Sequence, residues 1–203
     1  MKTPLKTKLY DTHISHKGHM VSFGGYLLPT HYSSIKHEHG LVRSKAGLFD
    51  VSHMGEFIIS GNDALSFLQK MTINDIELLK VGQAQYSAMC FEDGGIIDDL
   101  IIYKQEDNFM MVVNASNREK NLNWLKKNCE GNVSIKDISY EMSLLAIQGP
   151  RSRDILQTLT DSNLGSVKFY HFINGKITGH DALISRTGYT GELGYEIYIN
   201  SEK

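Results

Sequence analysis

Cysteine, proline and tryptophan are scarce in this chain: two, three and one among 203 residues. Cys90 and Cys129 are too few and too far apart for a disulfide framework or a C-x-x-C site. Both read as small hydrophobes in a reducing compartment, the cytoplasm. Long apolar runs are missing. A typical stretch, Leu100–Ile102, is bounded by Asp99 and Tyr103, and nothing of that length spans a bilayer. An excess of one charge is also missing. The formal net charge is −2, the two signs are interspersed, and no Lys/Arg stripe marks a nucleic-acid or membrane partner. Residues 1–10 carry lysines without an apolar core, so they do not read as a secretory signal. His13, His16, His19, His31, His37, His39 and His53 crowd the first quarter of the chain, yet no H-E-x-x-H or Cys/His pairing occurs, and no metal is expected.

What is present is a globular composition: 41% hydrophobic, 22% charged, enough to bury a core. Residues 33–45 have a helical pattern with Ile35, His39 and Val42 on one face and Gly47 as a stop. Residues 56–60 read as a strand. Asn62 is placed to cap a helix running to Lys70, with Leu65 and Leu68 inward. Two strands, 85–91 and 96–104, are joined by the turn Glu92-Asp93-Gly94-Gly95, and another covers 109–114. Ser116 and Glu119 form a capping-box pattern opening a helix to Asn128, with Leu122 and Leu125 inward. Gly149-Pro150 opens a further helix with Ile155 and Leu159 inward, and 195–200 is strand-like. Hairpins alternating irregularly with helices predict an α+β fold with antiparallel sheets. The block 55–137 reads as one compact unit. The last residues, Ser201-Glu202-Lys203, look like the start of a helix and suggest a fragment.

Two stretches carry candidate chemistry. In the hairpin strand after Gly94-Gly95, strict alternation puts Asp98 with Ile96, Leu100 and Ile102, and Asp99 with Ile97, Ile101 and Tyr103. Both faces are apolar, so a carboxylate is driven toward burial. There it needs partners, and it is suited to proton handling. The alternative is that both aspartates merely end the turn. The second stretch runs from Thr187 to Glu196 with glycines at 188, 191 and 194. Its spacing fits neither a dinucleotide fingerprint nor a phosphate loop. Close backbone approach at Gly188 and Gly191, with Tyr189 and Tyr195 between them, could form a slot for a planar ring. Glu196 shares a strand face with Gly194 and would accept from paired N–H donors on such a ring. The plainer reading is a glycine-rich turn entering an edge strand. Trp124 is expected to pack its helix. Arg43 and Arg118 are expected to pair with carboxylates on the surface.

Taken in order, several runs resemble the aminomethyltransferase (T-protein) family of glycine cleavage. They are Leu9-Tyr-Asp with His13, Met20-Val21 with Phe23-Gly24, Pro29 with Tyr32, Ala46 to Glu56, Gly94 to Leu100, Val113-Asn114 with Arg118 to Lys120, Gln148 to Pro150, and Thr187 to Glu192. Ser22 and Tyr26 depart from the family pattern, which usually has Asp and Trp. The resemblance implies two interwoven folate-binding units, 1–54 plus 138–203 and 55–137, with a C-terminal β-barrel beyond Lys203. It implies transfer of a one-carbon unit from the aminomethyl-dihydrolipoyl arm of H-protein to tetrahydrofolate, with release of ammonia. Asp98 would be the catalytic carboxylate. Glu196 would hold the pterin N–H edge, Tyr189, Tyr86 and Met54 would line the ring, and Asn114 would add a polar contact. The rival readings are a folate-dependent demethylase relative and a non-catalytic folate-binding fragment.

Overall fold

The computed structural model describes residues 3–202. In chain order its elements are β1 (Leu5–Lys6), α1 (Tyr10–Ser15), β2 (Met20–Phe23), β3 (Tyr26–Pro29), α2 (Ile35–Ser44), β4 (Gly47–Asp50), β5 (Gly55–Ser60), α3 (Ala64–Met71), β6 (Gln83–Cys90), β7 (Ile96–Lys104), β8 (Asn108–Val113), α4 (Arg118–Lys127), β9 (Ser134–Asp137), β10 (Met142–Gln148), α5 (Ser152–Gln157), β11 (Phe172–Ile177), β12 (His180–Ser185) and β13 (Gly194–Asn200). Short 3₁₀ turns cover Ala115–Asn117 and Leu164–Ser166. The class is α+β, as the irregular alternation of hairpins and helices predicts.

The chain divides into two compact units, one of residues 1–53 and 140–203, the other of residues 54–139. The second unit is built on a five-stranded antiparallel sheet in the order β6-β7-β8-β5-β9. Alternation along these strands sends Phe57, Ile59, Leu100, Ile102, Met111 and Val113 into one apolar core. Phe67 and Leu68 of α3 and Leu125 of α4 pack into the same core. The first unit carries a five-stranded antiparallel sheet, β11-β12-β13-β10-β4, and a three-stranded one, β1-β3-β2. Its core gathers Ile147, Leu156, Ile184, Tyr195 and Ile197.

Several sequence expectations are corrected in detail. Helix α2 ends at Ser44, and Gly47 begins a strand instead of stopping a helix. The residue at the N-terminus of α3 is Asp63, not Asn62. Its side chain does not cap the helix but accepts from the Asn132 backbone N–H at 2.7 Å. The capping box is not made: a 3₁₀ turn precedes α4, whose N-cap is Asn117. In α5 the inward residues are Ser152 and Leu156, whereas Ile155 and Leu159 are each 44% exposed. The helix begins at Ser152, later than Pro150 suggests. At the end of the chain Ser201 and Glu202 form a turn, and Lys203 lies outside the described residues.

Candidate functional site

The functional side chains of the second unit converge on β7. Strict alternation fails there, because Met89 pairs with Asp98 and Cys90 with Ile96, leaving Ile97 without an opposite number on β6. This is a β-bulge, one extra residue that re-aims its neighbours. Ile97 consequently joins Leu100 and Ile102 in the core, while Ile96 is left 72% exposed. The carbonyl of Ile97 is satisfied by the Lys120 ammonium of α4 at 2.6 Å.

Asp98 lies beside the bulge and is 5% exposed. Three asparagine amides, from the turn after β8 and from α4, donate to it. Asn114 Nδ2 reaches Oδ1 at 3.0 Å, Asn117 Nδ2 reaches Oδ1 at 2.8 Å, and Asn121 Nδ2 reaches Oδ2 at 2.5 Å. Asn121 is fully buried. A buried carboxylate is tolerable only when it is well hydrogen-bonded, and these amides give it a donor on each oxygen. Asn114 also donates to Asp99 Oδ1 at 2.7 Å, and the Tyr86 hydroxyl donates to Asp99 Oδ2 at 2.8 Å. The aspartates therefore do more than end a turn. Asp98, Asn114 and Tyr86 are brought into one hydrogen-bonded network, with Asp99 as the bridge. Met54 is half-buried just before β5.

Close to the same sheet, Glu56 is 1% exposed with Oε2 unpartnered. Burial first, and the Asp137 charge second, push its carboxyl well above the usual range against the pull of Arg118. Arg118 is engaged by Asp137, to which Nε and Nη2 donate at 3.0 and 2.9 Å. Arg43 pairs with Glu192 at 3.0 Å in the first unit, so both arginines take carboxylate partners, although the Arg118 pair is largely buried and not on the surface as expected.

In the first unit, Glu196 stands on β13 opposite Ser185 of β12 and Ala146 of β10. The hydroxyl of Thr187 donates to Glu196 Oε2 and lies 2.9 Å from the Ser185 hydroxyl. Burial, and then the Glu196 charge, hold the Tyr170 phenol above its ordinary value. The glycines serve a different purpose from the ring slot expected. A Cβ on Gly188 would lie 2.2 Å from Gln148 Oε1, and one on Gly194 would lie 2.3 Å from Gln148 Cδ. The backbone thus closes on the buried Gln148 amide, which donates to the Thr187 carbonyl and accepts from the Thr190 hydroxyl. Tyr195 does not flank a slot either. Alternation along β13 turns it into the core, where its hydroxyl donates to the Leu164 carbonyl at 3.0 Å. Tyr189 is fully exposed.

Asn117, Asn121 and Gln148 escaped the sequence reading. The spacing of Asn114, Asn117 and Asn121, three and then four residues apart, is the signal that one helix-like face carries three amides. Gln148 stands in the family run Gln148 to Pro150, but nothing in the pattern marks its amide as the group on which the glycines close. Among the histidines, His13 is buried and bonded across the fold, 2.9 Å from Asp50 Oδ2 and 2.7 Å from the Tyr32 hydroxyl. His19 and His31 stack at 4.8 Å. Among the described residues no group of three His, Cys, Asp or Glu side chains is placed to hold a metal ion. Among those residues, too, no helix is long and apolar enough to cross a membrane.

An α+β chain whose buried aspartate is clasped by asparagine amides has clear relatives. The GCVT N-terminal domain family matches residues 9–203, and the chain belongs to it. It is 52% identical over 199 residues to the aminomethyltransferase of Bacillus subtilis, covering 97% of this chain and 55% of that protein. It is 49% identical to the aminomethyltransferase of Halalkalibacterium halodurans, again covering 97% of this chain and 54% of the other. The glycine cleavage system aminomethyltransferase T of Bartonella henselae superposes with a TM-score of 0.90 at 33% identity, covering 97% of this chain and 54% of that one. The heterotetrameric sarcosine oxidase of Corynebacterium sp. U-96 shares the fold, with a TM-score of 0.57 at 13% identity over 82% of this chain and 83% of that one. The chain spans about half the length of the curated relatives it matches.

Proposed function

We propose that this chain is the folate-binding portion of a glycine cleavage aminomethyltransferase, a cytoplasmic enzyme. Its reaction moves the one-carbon unit of an aminomethyl group, held as a thioether on the dihydrolipoyl arm of H-protein, to tetrahydrofolate. Methylenetetrahydrofolate, ammonia and the reduced arm are the products. The observation that carries the reading is the Asp98 carboxylate, 5% exposed and held by three amide donors in a chain of this family. A fixed acceptor of that kind orients a folate nitrogen and takes its proton as the nitrogen attacks carbon, which is general-base assistance. In this reading Glu196 holds the N–H edge of the pterin, Tyr189, Tyr86 and Met54 line its ring, and Asn114 adds a polar contact. Residues 1–54 with 138–203, and residues 55–137, act as the two folate-binding units.

The test is Asp98→Asn in a chain of the relatives' full length, assayed with lipoylated H-protein and tetrahydrofolate. The amide cannot take a proton, so a fall in kcat of about 10²–10⁴-fold is expected. Near-normal turnover would remove Asp98 from the mechanism. Turnover that ignores H-protein would move the protein to another folate-dependent reaction.

A further inference from the structure

The two oxygens of Asp98 are not equivalent. A carboxylate offers about two lone-pair sites on each oxygen. On Oδ1 both are taken, by Asn114 Nδ2 at 3.0 Å and Asn117 Nδ2 at 2.8 Å. On Oδ2 only Asn121 Nδ2, at 2.5 Å, is present, so one site stays open. Each of these contacts is an N–H donor, and Asn114 spends its second N–H on Asp99 Oδ1. Asn117 has no such second duty among the bonds of this cluster. It stands at the N-cap of α4 without capping the helix, its side chain being directed to Asp98 instead.

We propose that Asn117 is a positioning residue for the reaction. By completing the occupancy of Oδ1, it makes Oδ2 the oxygen that meets the substrate's proton. The inference rests on the reading of Asp98 given above and goes beyond it by assigning the working atom and the residue that selects it. Asn117 itself touches no substrate. Its hydrogen bond fixes the carboxylate plane. Misdirecting a reacting group by a fraction of an ångström is enough to slow a reaction whose geometry is otherwise intact.

The experiment compares Asn117→Gln with Asn117→Met in a chain of the relatives' full length, with Asp98→Asn as control. Gln and Met have nearly the same length and room to fold back at this half-buried position, but only Gln carries an amide N–H to donate to Oδ1. The expected result for Asn117→Met is a kcat lowered about tenfold, with a KM for folate within about twofold. Asn117→Gln should recover most of kcat. Equal kcat for the two variants, whatever their thermal stabilities, would overturn the proposal, because a merely structural role does not depend on the donor. If Asp98→Asn is inert while the Gln and Met variants match, only the positioning role falls. If Asp98→Asn turns over normally, the role of Asp98 falls and takes this assignment with it.

Discussion

Gln148 and Gly194 face each other across β10 and β13, and the Gln148 amide fills the space where a side chain on Gly194 would begin: a Cβ there would lie 2.3 Å from Cδ. The clash is with the amide group of a side chain that is 1% exposed and bonded on both sides, so it has nowhere to swing. Gly194→Ala is therefore expected to destabilise the fold by about 1–3 kcal/mol, the usual cost of overpacking a filled interior. Urea unfolding measures this as a fall in midpoint. Adding Gln148→Ala should recover part of the loss, because the two residues share one space. Additive losses in the double variant would show that they do not compete.

Glu56 predicts a pH dependence of the opposite sign to that of an ordinary paired carboxylate. Its folded value is raised well above the model-peptide value of 4.5, chiefly by burial and then by Asp137. The folded chain thus holds a proton that the unfolded chain releases, and stability falls as pH rises from about 4.5 through the folded value. Glu56→Gln keeps the shape and removes the titration. The variant is expected to match the parent near pH 4 and to exceed it in urea midpoint as pH climbs, with a flatter curve in between. Parallel curves for the two proteins would mean that Glu56 does not stay protonated on folding.

How much of this was legible in the sequence depends on the range of the interaction. Local signals read well. The Gly94-Gly95 turn and the apolar alternation after it gave β7, and the same pattern called for burial of one of Asp98 and Asp99, which of the two being implied only by the family resemblance. The assignment of faces failed at Ile96 and Ile97, because a bulge is a mismatch between two strands and one strand's alternation does not contain it. The face of α5 failed too, where Ser152 and Leu156 turn inward in place of Ile155 and Leu159. Of the two close approaches expected, a Cβ on Gly191 would meet nothing nearer than Arg43 Nη1 at 3.8 Å, and only the one at Gly188 is made. What approaches is Gln148, some forty residues earlier, and no periodicity joins the two. The asparagine clasp was in principle readable from the spacing of Asn114, Asn117 and Asn121. Asparagine is common enough in turns that only a buried acceptor gives the spacing meaning.

Asp50 carries the last prediction, in the acid range. Its side chain is 1% exposed. Burial pushes the carboxyl up, but hydrogen bonds from Ser52, Thr7 and His13 together outweigh burial and hold it below its ordinary value. Thr7 donates to Oδ2 at 2.6 Å, and the Ser52 backbone N–H donates to Oδ1 at 3.0 Å. A lowered folded value means that the stabilisation is present above the unfolded value of 3.8 and is lost as pH falls through the folded one. Asp50→Asn replaces an acceptor of several donors by a group that is half donor. It should lower stability at neutral pH by about 1–3 kcal/mol, and the deficit should shrink as the parent is acidified below about pH 4. Thr7→Val removes one of those donors, so it should steepen neither limb but move the parent's acid transition to higher pH. The check is the urea midpoint of the three proteins across the acid range. A deficit in Asp50→Asn that stays constant with pH would show that the loss comes from packing and not from the charge held at this position.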